Sequence, residues 1–266
     1  MKLCAIQNIH IGGDLSITDV LTALWQDKLR FNLTDLKDEC RDRFVLSKGH
    51  AAAVVSFEQS AAGYFDKQQI FDEYAQDWGK FSMHSCNIIN PYVEISTGSL
   101  GHGMPIACGM AAGLKLKGNE DSFVYTLMGD GEQAEGSIWE AAMNAVHYGL
   151  GNLVAIIDHN RLEADGFLDE LTGIGNIRKK YEAFGWNVIE IDGNNMIEIV
   201  DAFDSITSTK GKRPILLLCN TIKGKGVPLF ENQPQWHAGK ISIEQRDECI
   251  EYLVNRFEEK WRTKID

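Results

Sequence analysis

Five short runs of mostly apolar residues recur along the chain, and longer segments of mixed polarity separate them. Most of these runs are rich in Val, Ile and Leu without strict alternation with polar residues, which is typical of strands buried on both faces of a parallel sheet. We therefore predict strands at residues 43–47 (RFVLS), 122–128 (SFVYTLM), 152–158 (NLVAIID), 186–192 (WNVIEID) and 214–220 (PILLLCN).

Helical patterns mark the segments between these runs. An early helix is expected to have Asp14 or Ser16 as its N-cap, and its apolar face comprises Leu15, Val20, Leu21, Leu24 and Trp25. Glycines are expected to end two later helices, at Gly63 and Gly118. A capping-box pattern at residues 242–245 opens the final helix. Including these last three, helices are predicted over residues 50–62, 66–78, 104–117, 137–149, 196–211 and 242–261.

The alternation of strands and helices predicts an α/β fold, with a doubly wound, mostly parallel sheet and helices on both faces. No low-complexity linker or internal repeat interrupts the pattern, so we expect a single domain over residues 1–266. In such sheets, ligands bind beyond the carboxyl ends of the strands.

Polar residues follow two consecutive strands at that edge. Asp130 stands between two glycines after one strand, and Asp158 and Asn160 come at the end of the next. Right-handed crossovers place consecutive strands close together, so these oxygens are expected to converge and to suit Mg²⁺. Gly131 would expose its N–H at the mouth of the helix that begins near Ser137, where phosphate binds favourably. Gly-Asp-Gly alone is weak evidence and is better interpreted as an ordinary surface turn, but the spacing of the polar residues favours a metal and diphosphate site.

Composition narrows the function classes. The formal net charge of −12 argues against a nucleic-acid surface, and it leaves an anionic ligand possible only where a metal or local donors offset the carboxylates. The six cysteines are scattered without C-x-x-C spacing, so neither a zinc site nor a disulfide framework is expected. Without a signal-peptide pattern or a membrane-spanning apolar run, the chain is predicted to be cytoplasmic and to bind no membrane.

Residues 129–166, from GDGEQAEG to DHNRLEADG, resemble the thiamine-diphosphate motif of the transketolase family. Pyruvate-dehydrogenase-type subunits share that motif, so it indicates the cofactor better than the reaction. Five further segments are similar to transketolase, in the same order along the chain: residues 10–24 (HIGGDLSITDVLTAL), 46–55 (LSKGHAAAVV), 93–111 (VEISTGSLGHGMPIACGMA), 183–195 (AFGWNVIEIDGNN) and 221–240 (TIKGKGVPLFENQPQWHAGK). The resemblance implies the diphosphate domain of the thiamine-diphosphate-binding fold.

The resemblance also implies which residues bind the cofactors. It assigns Mg²⁺ to three ligands: Asp130, Asn160 and the backbone carbonyl of Leu162. It assigns thiamine diphosphate to a larger set: His50, Gly98, Leu100, Asp130, Gly131, Glu135, Asn160 and His237.

Four histidines are implied to be catalytic. His10 and His84 match residues that contact substrate hydroxyls, and His50 and His237 match residues near the diphosphate and the reacting centre. Carboxylates of an inter-subunit network that couples paired cofactors are matched by Glu135 and Glu140.

The sequence departs from the family pattern at several positions. Ile11 replaces the proline of the family's His-Pro-Gly-Gly, which frees the backbone φ and adds an N–H. Asp14 stands where a small residue is common, and Ala164 where a larger aliphatic side chain packs on the cofactor. A histidine replaces the usual glutamine at His102, whose role is left open. The two histidines interpreted as structural are His147 and His159.

The resemblance predicts the N-terminal subunit of a two-component transketolase, which transfers a two-carbon ketol unit from a ketose phosphate to an aldose acceptor. Pyrimidine-binding and C-terminal domains are expected on a separate partner chain. Because the glutamate that activates the aminopyrimidine belongs to that chain, activity is expected only with the partner. A homodimer of this chain joined by two partner chains, an α2β2 assembly, is expected.

Three alternatives remain open. A 2-oxo acid dehydrogenase subunit is disfavoured by Ser-Lys-Gly-His and Trp-His-Ala-Gly. A specialised two-component thiamine-diphosphate enzyme would transfer a ketol or acyl unit to a non-sugar acceptor. A non-catalytic transketolase-like protein would only bind a partner.

Overall fold

All five predicted strands are present and join into one sheet. The computed structural model describes residues 1–119, 121–208 and 211–262, apart from the side chains of residues 261 and 262. Within this part the strands are β1 (Arg43–Leu46), β2 (Val124–Gly129), β3 (Leu153–His159), β4 (Asn187–Asp192) and β5 (Ile215–Asn220). Their order across the sheet is β1-β2-β3-β5-β4, and every pairing is parallel. The predicted α/β fold is confirmed.

The helices lie between and around these strands. Those of the described residues are α1 (Lys2–Ile6), α2 (Ile11–Ala23), α3 (Ala52–Ala61), α4 (Lys67–Glu73), α5 (Gly103–Leu116), α6 (Gly136–His147), α7 (Leu168–Leu171), α8 (Ile177–Phe184), α9 (Met196–Ser208) and α10 (Ile243–Arg262). The sequence pattern does not predict α1, α7 or α8. The helix predicted over residues 196–211 is observed as α9, and residues 209 and 210 lie outside the described residues.

Helices cover both faces of the sheet, as a doubly wound fold requires. Side chains of α2, α3 and α9 pack on one face with the β2 residues Tyr125 and Leu127. Side chains of α5, α6 and α8 pack on the other face with Val124 and Met128. Successive residues of a strand point to opposite faces, so β2 contributes to both layers of the core. The polar residues that end the strands are left at the carboxyl edge of the sheet.

Helix α2 begins earlier than predicted, with His10 as an N-cap residue that makes no side-chain capping bond. The prediction of Asp14 or Ser16 as N-cap is wrong, because both buried side chains serve other elements. Asp14 Oδ1 accepts a hydrogen bond (3.3 Å) from the N–H of Val54, in the first turn of α3, where helical N–H groups lack partners within the helix. Ser16 Oγ donates to the carboxylate of Asp158 at the end of β3.

Local interactions determine where α4 ends and where α10 begins. Helix α4 stops at Glu73, short of its predicted end, and beyond it Ala75 and Trp78 adopt left-handed φ values of 54° and 65°. Helix α10 begins with the predicted capping box. Ser242 Oγ accepts from the Gln245 N–H (3.1 Å), and Gln245 Oε1 accepts from the Ser242 N–H (3.0 Å).

None of the described helices is both long and apolar enough to cross a membrane.

Candidate active site

The carboxyl ends of β2 and β3 meet at one point of the sheet edge. These strands are paired directly, with Gly129 opposite Asp158. Asp130 Oδ2 accepts a hydrogen bond (2.5 Å) from the backbone N–H of Arg161 and lies 3.2 Å from Nδ1 of His159. The prediction that the two strand ends are neighbours is confirmed by the pairing.

The three oxygens predicted to bind Mg²⁺ are present at this edge. Asp130 Oδ1 accepts from the Gly131 N–H (2.8 Å), and Asn160 Oδ1 accepts from the Leu162 N–H (3.1 Å). The Leu162 carbonyl accepts from the Lys223 ammonium (3.0 Å). No group of three His, Cys, Asp or Glu side chains within the described ranges forms a metal centre. A carboxylate, an amide oxygen and a carbonyl oxygen form a donor set suited to a hard cation.

A buried ion pair lies beneath the strand ends. Asp158 accepts from the Lys48 ammonium (2.6 Å) and from the hydroxyls of Ser16 and Thr221, and Lys48 also donates to the Gly13 carbonyl (3.1 Å). Burial raises the pKa of Asp158, but the Lys48 charge and the hydrogen bonds bring that pKa below its ordinary value. The pair ties α2 and the segment after β1 to β3.

Within the part of the chain that the structure describes, a second buried ammonium, that of Lys223, has no carboxylate in hydrogen-bond contact. Lys223 donates to the backbone carbonyls of Leu162 and Glu163 and lies 3.0 Å from Nδ1 of His237. Burial and the nearby Lys48 charge lower the pKa of Lys223 to about 8. Such a cation is stabilised by an anionic ligand. The residues of this edge therefore fit a diphosphate together with a hard divalent cation.

Four histidines predicted to be catalytic form one group, here called the histidine cluster: His10, His50, His84 and His237. The ring of His10 lies at its centre, 5.3 Å from His50, 5.6 Å from His84 and 5.5 Å from His237. Burial lowers the pKa of His10 and of His237 to about 4, and it lowers that of His50 well below its ordinary value. Those three rings are therefore neutral near pH 7.

Glycines allow close approach of the backbone beside these groups. A Cβ at Gly98 would lie 3.7 Å from the His84 ring, and a Cβ at Gly131 would lie 2.9 Å from Cγ of Glu163. Leu100 is half-buried in the same loop as Gly98. The loop therefore lies beside His84 of the histidine cluster, whereas Gly131 lies beside Glu163 in the segment that follows β3.

The remaining predicted residues lie around this core. Glu135 is exposed as the N-cap residue of α6, and Glu140 is exposed farther along the helix. His102 and His147 are exposed as well, whereas His159, interpreted as structural, contacts Asp130.

The positions that depart from the family pattern differ in burial. Ala164 is exposed, whereas Ile11 is buried in α2. Asp14 is buried beside α3, and its Oδ2 has no hydrogen-bond partner among the residues that the structure describes.

Sequence reasoning assigned no role to three buried charged residues of this region: Lys48, Glu132 and Lys223. Glu132, at 1% exposure, accepts hydrogen bonds from the Ser47 hydroxyl and from the N–H groups of Gly101 and Gly129. Their only signal in the sequence is that each stands within a motif: Ser-Lys-Gly-His, Gly-Asp-Gly-Glu or Thr-Ile-Lys-Gly.

Comparison with known proteins agrees with this geometry. Residues 3–253 match the family described as transketolase, thiamine diphosphate binding domain. One of the subunits of the apulose-4-phosphate transketolase of Phocaeicola vulgatus is 43% identical over 249 residues, which cover 94% of this chain and 87% of that protein. The 6-deoxy-6-sulfo-D-fructose transketolase subunit SqwG of Clostridium sp. is 37% identical over 235 residues, which cover 88% of this chain and 84% of that one.

A solved transketolase shares the fold. The structure from Leishmania mexicana aligns with a TM-score of 0.82 at 27% identity. The alignment covers 96% of this chain and 38% of that one, so this chain spans well under half of the solved polypeptide. The family match, the relatives and the fold agree with the resemblance of the sequence motifs. The chain belongs to the transketolase family and carries that family's thiamine-diphosphate-binding domain.

Proposed function

We propose that this chain is the N-terminal subunit of a two-component transketolase, which transfers a two-carbon ketol unit from a ketose phosphate to an aldose acceptor. The observation that carries the proposal is the histidine cluster, held against the buried Lys223 at the edge where β2 and β3 end. Relatives named as transketolase subunits for apulose 4-phosphate and for sulfofructose support the reaction class and a sugar-derived donor.

The proposal requires thiamine diphosphate and Mg²⁺. Asp130, Asn160 and the Leu162 carbonyl would hold the metal, because they present hard oxygens at adjacent strand ends. Lys223 would offset the charge of the diphosphate, and Gly131 would let the backbone approach it. When bound, the cofactor supplies the nucleophilic carbon with which a C–C bond beside a carbonyl is broken and remade.

The histidine cluster would position the sugar and move its protons. Neutral rings offer one donor and one acceptor nitrogen each, which suits hydroxyl groups. His10 Nδ1 is buried without a partner among the described residues, and a substrate hydroxyl would satisfy it. We assign His10 and His84 to substrate hydroxyls, and His50 and His237 to the diphosphate and the reacting centre. Positioned acid–base groups of this kind contribute about 10²–10⁴-fold to a rate.

The lengths of the related chains support an enzyme made of two different subunits. The alignment covers 87% of the Phocaeicola transketolase subunit, whereas it covers 38% of the Leishmania chain. We propose that residues 1–266 form a single diphosphate-binding domain and that a partner chain carries the pyrimidine-binding and C-terminal domains. Two copies of each chain would form the α2β2 enzyme.

An activity assay tests this proposal. The purified chain is measured alone and mixed with a partner of the missing type, with thiamine diphosphate and Mg²⁺ present. Ketol transfer between pentose phosphates by the mixture, and none by the chain alone, is the expected result.

Each alternative predicts a different result when the same mixture is also given pyruvate or non-sugar acceptors and its cofactor binding is measured. Turnover of pyruvate would indicate a 2-oxo acid dehydrogenase subunit, and transfer to a non-sugar acceptor would indicate the specialised enzyme. Failure of the mixture to bind the cofactor would favour the non-catalytic protein. Robust turnover by the chain alone would contradict the two-component arrangement.

A further inference from the structure

Glu132 is a buried carboxylate surrounded by neutral donors. It lies in a short 3₁₀ turn over Gly131–Ala134, directly after Asp130 and Gly131. Oε1 accepts from the Ser47 hydroxyl and from the Gly101 N–H (2.8 Å), and Oε2 accepts from the Gly129 N–H (3.1 Å). All three neighbours are hydrogen-bond donors, so an ionised Glu132 carboxylate can accept all three hydrogen bonds.

The Gly101 peptide is held from its other side as well. The Gly101 carbonyl accepts from the Ser137 hydroxyl of α6 (2.8 Å). Gly101 adopts φ +85°, and a Cβ there would lie 2.6 Å from Cβ of Glu135. Both polar groups of this left-handed residue are thus fixed by side chains near the start of α6.

Ser47 extends the connection to a third segment. Its Oγ accepts from the Gly103 N–H (3.1 Å), at the start of α5, while its hydroxyl donates to Glu132. One carboxylate therefore joins the end of β2, the loop of residues 98–103 and the segment between β1 and His50. Each of these three segments carries or adjoins residues that the family resemblance assigns to the cofactor: Asp130 directly after β2, Gly98 and Leu100 in the loop, and His50.

We propose that Glu132, with Ser137, is a positioning residue that holds the loop of residues 98–101 in the conformation that receives thiamine diphosphate. This inference rests on the proposed function. Glu132 acts through the Gly101 peptide and does not itself touch the cofactor. Leu100 precedes Gly101 directly and Gly98 lies three residues before it, so release of the Gly101 peptide frees the part of the loop beside His84.

A substitution that keeps shape and removes one acceptor separates this role from packing. In Glu132→Gln, the amide NH₂ must face either the Gly129 N–H or the Gly101 N–H, so one backbone donor loses its partner. Ser137→Ala removes the hydrogen bond to the Gly101 carbonyl and remains informative if the first variant fails to fold. Glu251→Gln, at an exposed position of α10, is the matched control.

Two measurements are made on the full chain, one without and one with the partner. Hydrogen–deuterium exchange of residues 98–103 in the chain itself is expected to be at least about tenfold faster in both variants than in the control. With the partner and Mg²⁺, the calorimetric Kd for thiamine diphosphate is expected to rise by about tenfold or more. The kcat at saturating cofactor is expected to stay within about twofold of the control value. General damage to the fold would lower kcat as well as raise the Kd.

Some results would overturn the inference alone. If the wild-type complex binds the cofactor and both variants bind it equally well, the positioning role is wrong, whatever the exchange rates. Unchanged exchange at residues 98–103 in both variants would also contradict it. Absence of binding by the wild-type complex would instead overturn the proposed function, and the inference with it.

Discussion

Asp14 is a buried carboxylate at the start of α2, and no described residue forms a hydrogen bond with its Oδ2. Burial raises its pKa to about 7 from an ordinary value of 3.8. The folded protein holds this proton up to about pH 7, whereas the unfolded chain releases it near pH 4. Between these values the folded state binds more protons, so this residue lowers the free energy of unfolding as the pH rises.

The first prediction concerns Asp14→Asn, which removes the charge and keeps the oxygen that accepts from the Val54 N–H. At about pH 8 the variant is expected to be more stable than the wild type, by up to about 4 kcal/mol. The difference should shrink as the pH falls to about 5. Urea unfolding at both pH values measures it, with Asp201→Asn on the exposed face of α9 as the control. An equal effect at the two pH values would contradict a buried, proton-binding Asp14.

Part of the candidate site could be predicted at the residue scale. Asp130 and Asn160 could be placed together because parallel topology brings consecutive strand ends to one edge. Lys48, Lys223 and Glu132 could not, because charged residues are normally exposed and nothing local in the sequence shows that these three are buried. Their burial depends on partners far away in the chain, such as Asp158 for Lys48.

At the scale of elements, the continuity of apolar residues decided what could be predicted. The central strands are buried along almost their whole length, so their sequences are unambiguous. Helix α8 was missed because only Ile177 and Tyr181 are buried in it, too few to show a helical period. Its boundaries did have signals, since Asn176 caps its start and Gly185 (φ 99°) follows its end.

The second prediction tests the layer that α9 forms on the sheet. Phe203 is fully buried there, and its ring lies 6.4 Å from that of Tyr125 on β2. Phe203→Ala is expected to lower the free energy of unfolding by about 3–5 kcal/mol, because it removes the ring and leaves a cavity. Ile197→Ala, on the exposed side of the same helix, is expected to change it by less than about 0.5 kcal/mol. Denaturant unfolding that gave equal losses would contradict the described packing.

At the scale of the whole molecule, apolar side chains remain exposed on α5 and α6. Ile106 is 40% exposed, Met143 is 51% exposed and Leu116 is 90% exposed. Stable interfaces bury such groups, and obligate ones commonly exceed about 2,000 Å². We expect these exposed residues of α5 and α6 to take part in the homodimer of the proposed α2β2 enzyme.

The third prediction tests that surface directly. Met143→Glu places a charge among apolar groups and is expected to shift the chain from dimer to monomer, as measured by light scattering at matched concentrations. Ile197→Glu, which is exposed on α9, is the control and should leave the dimer intact. A wild-type chain that stays monomeric with cofactor, Mg²⁺ and partner would contradict the expected assembly.

The central proposal is that the ends of β2 and β3 hold the metal and the diphosphate. Titration calorimetry of thiamine diphosphate into the chain and its partner, with Mg²⁺ and then with a chelator, tests it most directly. Asp130→Ala is the decisive variant, and Asp165→Ala, exposed in the loop after β3, is the control. We expect Mg²⁺-dependent binding by the wild type and by the control, and none by Asp130→Ala. Unchanged affinity in Asp130→Ala would contradict the proposal.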